Sequence, residues 1–395
     1  MTTRPDTPTR SDRGGRTRPD RREQLIDHAA ELFLDRGYGQ VSVADIAKAA
    51  GVTGPAVYRH FPDKQALLVA AIAAGVADLE RCTERATDPP QQPAELITVI
   101  SGLAVRKHAT ALLWRGNSSF LTDEQNQHVA ARTRAILRRW SAVLFVDRPE
   151  LTDRDIAQLA WSILSVTGSL SVHATRVPTA RARPALAEII ARLAALTPSS
   201  APVLPLSLTP VETTDRRGEI LDAAARLFAA RGFASVGVDD IGAAVGITGP
   251  SVYKHFPSKA EILVSIGRRS AARLEAGAMA AHAADATPAE VLSRLADSYV
   301  TVLTSTPDLS VGFANRPVLR GLGARDLVAV QRDYVTRWID LLDEAHGDLG
   351  RPVAAVTVHA ALTIANDAVQ MGRNADRDDF PAQLAYLVKG ALGIA

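Results

Sequence analysis

A chain of 395 residues has room for about two domains of ordinary size, each able to bury its own core. Hydrophobic residues make up 47% of it and aromatics only 5%, a balance that suits packed, alanine-rich helices and disfavours sheets, so an all-α protein is expected. A lone Cys82 excludes an internal disulfide, no secretory apolar core opens the chain, and no apolar run reads as long enough to span a bilayer. A cytoplasmic protein with no membrane partner is the expectation.

The formal net charge of +2 averages over a strongly basic start. Residues 1–22 carry Arg4, Arg10, Arg13, Arg16, Arg18, Arg21 and Arg22 just before or at the first helix, against Asp6, Asp12 and Asp20. This segment reads as a disordered basic arm, either a solubilising tail or a minor-groove contact. A first helix follows, with Leu25, Ala29, Leu32 and Phe33 on one face and Gly37 as a left-handed stop. Ser42 can cap a second helix that turns Val43, Ile46, Ala47 and Ala50 inward and ends at Gly51. Thr53 is a candidate cap for a short third helix, with Pro55 in its first turn, running to about Phe61. Asp63 then opens a longer helix. Two short helices joined by a tight glycine turn and braced by a longer one form a helix-turn-helix, which lays its second helix in the major groove of DNA.

The same pattern occurs twice. Residues 22–69 align without gaps onto 217–264, identical at roughly half of the positions, far above chance for unrelated segments. Leu32, Phe33, Arg36 and Gly37 become Leu227, Phe228, Arg231 and Gly232, and the run from Thr53 to Lys64 recurs from Thr248 to Lys259. In the second copy, Ser258 and Glu261 have the spacing of a capping box. Further on the match fades, although Arg139 and Trp140 face Arg337 and Trp338 after a small shift in register. A Pro-, Ser- and Thr-rich stretch, 197–214, reads as the linker between two modules. The expected domains are therefore an arm (1–20), a first helix-turn-helix domain (21–66), a helical regulatory domain (67–196), the linker (197–214), a second helix-turn-helix domain (215–261) and a second helical domain (262–395).

The runs VSVADIAKAAGVTGPAVYRHFPDKQALL and VGVDDIGAAVGITGPSVYKHFPSKAEIL resemble the DNA-binding domain of TetR-family repressors. The resemblance covers about 50 residues per copy, and its signature joins a glycine after the first helix, the IxxxxG turn and the Tyr-x-His-Phe-Pro-x-Lys ending. Family members are homodimers with one reading head per subunit and a variable helical domain that binds a small inducer and carries the dimer interface. The resemblance implies that this chain holds both halves of such a dimer. It also implies that Tyr58, His60 and Lys64, with Tyr253, His255 and Lys259, hold backbone phosphates, and that Ser42 donates to another. Thr53, Gly54, Pro55, Ala56 and Arg59 would lie at the groove-facing end of the first recognition helix, and Thr248, Gly249, Pro250, Ser251 and Lys254 at that of the second.

Affinity for DNA comes largely from neutralised phosphates and direct specificity from side chains at base edges, and both residue types are present here. Gly54 and Gly249 permit close backbone approach, leaving direct readout to methyl contacts and one cation per head. Arg216 and Arg217 form a shorter counterpart of the first arm. Ala56 against Ser251 and Arg59 against Lys254 predict an imperfect palindrome as operator. Gly237 in place of Ser42 loses a cap, and Gly242 weakens the same helix, so the second head is expected to bind less tightly. Tyr58 and Tyr253 read as DNA contacts, Phe61 and Phe256 as core; His60 and His255 also suit helix-end caps, and Lys64 and Lys259 solvated charges.

In the helical bodies, Trp114, Trp140, Trp161 and His173 of the first half and Phe313, Trp338, Asn366 and Met371 of the second are candidate linings of a pocket for a small apolar effector, with structural packing as the competing reading. No metal cluster, activated nucleophile or phosphate-cradling loop is recognisable, so neither cofactor nor enzyme activity is expected. The expected function is a ligand-responsive repressor acting on double-stranded DNA as an intramolecular pseudo-dimer, with pairing of two chains left open. The alternative is a ligand-sensing or scaffolding protein whose helix-turn-helix copies make protein contacts.

Overall fold

The computed structural model describes residues 20–87, 92–106, 113–117, 120–172, 177–204, 215–282, 285–347, 349–370 and 377–395. The arm before Asp20, the linker portion 205–214, His173 and Met371 lie outside the described residues. Among the described residues the regular elements are helices, with no strand.

The first half starts with α1 (Arg21–Arg36), α2 (Val43–Ala49) and α3 (Gly54–Tyr58), followed by α4 (Lys64–Thr87), α5 (Pro93–Arg106), α6 (Leu113–Asn117), α7 (Asp123–Leu144), α8 (Asp153–Val172) and α9 (Thr179–Ala194). The second half repeats the head as α10 (Arg216–Arg231), α11 (Val238–Ala244) and α12 (Gly249–Val252). Its body comprises α13 (Lys259–Ala281), α14 (Pro288–Ser305), α15 (Asp308–Ala314), α16 (Arg316–Gly321), α17 (Arg325–His346), α18 (Arg351–Gln370) and α19 (Phe380–Leu392). The expected boundaries at 66 and 261 fall inside α4 and α13, so each head is joined to its body by a continuous helix and not by a loop.

Trp140 and Trp338 are both buried, which gives the matched Arg-Trp pairs a shared place in the two cores. Trp140 Nε1 donates to Thr83 Oγ1 at 2.8 Å, while Trp338 packs edge-on against Tyr299 with ring centroids 5.8 Å apart. The adjacent arginines each reach a glutamate on the helix that leaves the head: Arg139 to Glu84 at 3.8 Å and Arg337 to Glu275 at 2.9 Å.

The halves meet through α8 and α9 against α18 and α19, with α18 packed on both α8 and α9. One apolar core runs from Leu25 in the first head through this contact to Leu392. Arg192 on α9 donates to the Ala391 carbonyl at 2.8 Å. Part of the expected linker is also folded onto the contact: Pro198 is buried, and Ser199 N–H donates to Asp155 Oδ1 at 2.7 Å. Arg148 binds the Ala194 and Leu196 carbonyls at 2.6 and 3.2 Å. Among the described residues, one helix, α18, is long and apolar enough to cross a membrane by length and composition alone. It is largely buried because it is packed by both halves at once.

The second head has its own apolar cluster, shared with α15, α16 and the start of α17. A charge network ties it down. Arg269 on α13 binds Asp222 on α10 at 2.7 Å and grips the fully buried Asp308 of α15 through Nε and Nη2 at 2.7 and 2.8 Å. Arg273 adds a bond to Asp308 at 2.9 Å. Removing one partner of a buried pair leaves an uncompensated charge, so Asp308→Ala should destabilise the second half by about 3–5 kcal/mol. Urea unfolding read from helical ellipticity checks this, and a loss below about 1 kcal/mol would contradict it.

Candidate nucleic-acid interface

Each head is built to hold one short helix out from a packed base. α1 begins at Asp20, whose carboxylate accepts from Arg22 N–H, and buries Leu25, Ala29 and Phe33. It ends at Gly37 with φ 82° and ψ 144°, a conformation open essentially to glycine alone, so the expected left-handed stop is replaced by an extended, positive-φ one. Gly232 repeats it with φ 80° and ψ 147°. Ser42 and Asp45 form a reciprocal cap on α2: Ser42 Oγ accepts from Asp45 N–H at 3.1 Å, and Asp45 Oδ2 accepts from Ser42 N–H at 2.9 Å. The same carboxylate accepts a hydrogen bond from the Ser42 hydroxyl at 2.5 Å. Ser42 is thus a helix cap whose one proton points at Asp45.

Thr53 and Thr248 stand at the starts of α3 and α12 without a side-chain capping bond, and Pro55 and Pro250 occupy the first turn. Val57 and Phe61, like Val252 and Phe256, are buried and anchor these helices, as expected for the phenylalanines. Tyr58 and Tyr253 then project outward, 56% and 53% exposed, an unusual position for aromatic rings. Arg59, His60 and Lys254 are exposed beside them, His255 half so; Thr53, Pro55, Thr248 and Pro250 are also exposed, Gly54, Ala56 and Ser251 partly.

Lys64 and Lys259 have a second employment that sequence reasoning missed. Lys64 Nζ donates to the Tyr38 and Val41 carbonyls at 2.9 and 3.0 Å and sits 4.2 Å from the Tyr38 ring centre. Lys259 Nζ does the same with Phe233 and Val236, both at 2.8 Å. Burial pushes the Lys64 amine below its ordinary value. Each ammonium therefore locks the loop between the first two helices, and one of its three N–H donors is left over. Arg217, expected as a groove contact, instead donates to the His255 carbonyl at 2.6 Å and stacks over Phe256 at 4.1 Å. Arg216 is held by Glu219 at 2.6 Å and the Val245 carbonyl at 3.1 Å.

The copies differ at the turn. Gly237 offers no side-chain cap, and only Asp240 returns a bond, from Gly237 N–H at 2.7 Å. Gly242 is more than a weak helix former, because a Cβ there would stand 2.8 Å from the Ile247 carbonyl oxygen and 3.1 Å from the Gly249 nitrogen. A Cβ on Gly249 would meet Asp239 Oδ1 at 1.8 Å, whereas one on Gly54 meets nothing within 4 Å. The second turn is closed more tightly than the first, where Ala47 and Ala44 occupy the positions of Gly242 and Asp239. Outside the turn, Ser258 caps α13 by accepting from Glu261 N–H at 3.1 Å, but the Glu261 carboxylate reaches Arg268 at 3.4 Å, so one arm of the expected box is present.

The candidate pocket residues do not converge. Trp140 and Trp338 are core; Trp114 Nε1 donates to Asn126 Oδ1 at 2.9 Å, and Asn366 accepts from the Tyr299 hydroxyl at 2.9 Å. Phe313 packs partly buried against the main core. Trp161 lines a cavity of about 430 Å³ between α8 and the pair α18 and α19. Near Asn366 on the same helix, burial pushes His359 down to about 4, helped by the Arg316 guanidinium. Among the described residues, no cluster of three or more His, Cys, Asp or Glu side chains has the makings of a metal site.

Two three-helix units, each presenting a short helix with an outward tyrosine and a cation from a valine-phenylalanine base, have the arrangement of a helix-turn-helix. Residues 25–71 and 220–266 both match the family described as "Bacterial regulatory proteins, tetR family", so the domain characteristic of that family is present twice in this chain. The HTH-type transcriptional activator FasR of Mycolicibacterium smegmatis is 43% identical over 68 residues, 17% of this chain and 31% of FasR. The HTH-type transcriptional repressor KstR2 of the same organism is 26% identical over 145 residues, 35% of this chain and 67% of KstR2. The chain thus spans less than a third of the length of FasR and two thirds of that of KstR2. A crystal structure of a TetR-family regulator from Bordetella parapertussis aligns over 45% of this chain and 94% of its own, with 21% identity and a TM-score of 0.40.

Two outcomes follow from the geometry. Gly242→Ala should destabilise the second head by about 1–3 kcal/mol despite the better helix former, while Gly54→Ala should leave the first head within about 0.5 kcal/mol of wild type. Hydrogen exchange of α11 and α2 amides distinguishes the heads, and equal effects would contradict the reading. His359 binds its proton less readily folded (about 4) than unfolded (6.5). Its contribution, roughly 3 kcal/mol, is therefore present above the unfolded value and lost as pH falls from about 6.5 to 4. Denaturant titrations of wild type and His359→Gln across this window should diverge by that amount.

Proposed function

We propose that the chain is a ligand-responsive transcriptional regulator that binds double-stranded DNA with both heads at once, as a pseudo-dimer on an imperfect palindrome. The observation that carries this reading is the exposed Tyr58 beside Arg59 and His60, repeated as Tyr253 beside Lys254 and His255, on helices whose other faces are buried. Large exposed aromatic side chains next to cations, repeated at equivalent places, suit a polyanionic partner better than solvent.

In this reading α3 and α12 enter the major groove with their first turns foremost. Thr53, Pro55 and Ala56 in one head, and Thr248, Pro250 and Ser251 in the other, meet base edges through methyl and hydroxyl groups. Arg59 and Lys254 supply the cations. Tyr58, His60, Tyr253 and His255 hold phosphates, joined by the free N–H of Lys64 and of Lys259, which are already fixed in direction by their carbonyl partners. Ser42 acts by capping α2, since its proton is committed to Asp45. The shared core of the two bodies sets the spacing between heads, and a ligand that favours one arrangement of the bodies would favour or oppose the spacing of about 34–36 Å that successive grooves require.

The difference between heads follows from chemistry at matched positions. Ala56 and Ser251 present different groups to a base, as do Arg59 and Lys254. The half-cap at Gly237 leaves the start of α11 with two fewer local bonds than the start of α2, which supports a weaker second head. Affinity for a fragment from upstream of the chain's own coding sequence should fall steeply with salt, and loss of salt dependence would oppose the reading. Arg59→Ala should lower affinity by about 1–3 kcal/mol and relax specificity in one half-site, whereas Tyr58→Ala should weaken all sequences alike. Tyr253→Ala should cost less than Tyr58→Ala in fluorescence anisotropy, and equal losses would contradict the asymmetry.

A further inference from the structure

The contact between halves is not symmetric. Exchanging the halves turns α8 into α18 and α9 into α19, so the pair α9 and α18 corresponds to the pair α19 and α8. The first pair packs directly, but α8 and α19 hardly touch, and the cavity of about 430 Å³ lies where they part. Trp161 of α8, Ile364 of α18 and Phe380, Leu384 and Leu387 of α19 make its walls apolar. Gln158 crosses the gap, donating to Gln383 Oε1 at 2.7 Å, and Gln383 in turn donates to Asp379 at 3.0 Å.

The charges around this site are one-sided. Asp379 is answered by Arg377, and Asp155 is occupied by Thr152 and Ser199. Arg154 also lines the cavity, is exposed, and has no hydrogen bond or ion pair among the described residues. An apolar chamber of ligand size with one unanswered guanidinium suits a molecule with an apolar body and a single anionic end.

We infer that the gap between α8 and α19 is a single binding site per chain for an amphipathic carboxylate, its apolar body against Trp161 and Phe380 and its carboxylate on Arg154. The site is made by both halves and arises once, because fusion frees the two sides of the contact to differ. A ligand there acts as a wedge between the bodies. Its effect on DNA rests on the function proposed above; its binding does not.

The test uses the full chain and decanoate as probe, with decan-1-ol as the uncharged control of the same length. Titration calorimetry should give one decanoate per chain, with decan-1-ol bound about tenfold more weakly. Arg154→Gln should reduce decanoate to the affinity of the alcohol, and Ala157→Trp, at the exposed rim of the cavity, should abolish binding of both. Both positions are exposed, so wild-type helical ellipticity and melting are expected for each variant. No decanoate binding, two sites per chain, or binding indifferent to Ala157→Trp would overturn the site. Decanoate binding as described with unchanged affinity for the upstream DNA would leave the site standing and sink the ligand-responsive part of the proposed function. Absence of decanoate binding with intact DNA affinity would do the reverse.

Discussion

The apolar contact of α8 and α9 with α18 and α19 is the constraint on which the rest depends. Because one core passes through it, neither body can move without disturbing the other, and each head is carried on a helix, α4 or α13, that is continuous with its body. In two separate chains this contact would form in proportion to concentration. Here the partner is always present in the same chain, so association is a matter of effective concentration and not of dilution. The segment around Pro198 and Ser199 is itself a piece of this contact, with Pro198 buried and Ser199 bound to Asp155.

Fusion also removes the demand that both halves be alike. A homodimer must use one sequence for both sides of its contact, whereas this chain can vary each side independently. The consequences are visible at three levels. In the heads, the tight second turn, with Gly242 and Gly249 against Asp239, replaces the open first one. Where head meets body, the second half uses the network of Arg269, Arg273, Asp222 and Asp308, while Ala74 stands in the first half where Arg269 would be. At the contact, α9 closes on α18 while α8 and α19 leave a cavity. These ion pairs join α10, α13 and α15 at one point, where the second head meets its body.

The heads were legible in the sequence because their signals are local: capping residues, glycines at positive φ and apolar spacing all act within a few residues, and the duplication doubles each signal. Legibility failed where a contact joins distant parts of the chain. Lys64 looks like a surface charge until Tyr38 and Val41, more than twenty positions back, present their carbonyls to it. Gly242 reads as a defect until the close approach of Ile247 and Gly249 shows that nothing larger fits. The cavity depends on Gln158 and Gln383, separated by 225 positions, and on the difference between two helix pairs, which composition cannot express. Alanine-rich amphipathic helices specify that something packs on them, and leave open what. Of the aromatic candidates, Trp140 and Trp338 recur at matched places, and that recurrence pointed toward packing, where both are found.

The central claim is that a single chain supplies both readers of one operator. Measuring the mass of the complex formed on an upstream fragment by light scattering, together with its footprint, tests this directly. The account predicts one chain per duplex, protecting two half-sites about one helical turn apart with their centres on the same face. Two chains per duplex, or protection confined to one half-site at saturation, would contradict it.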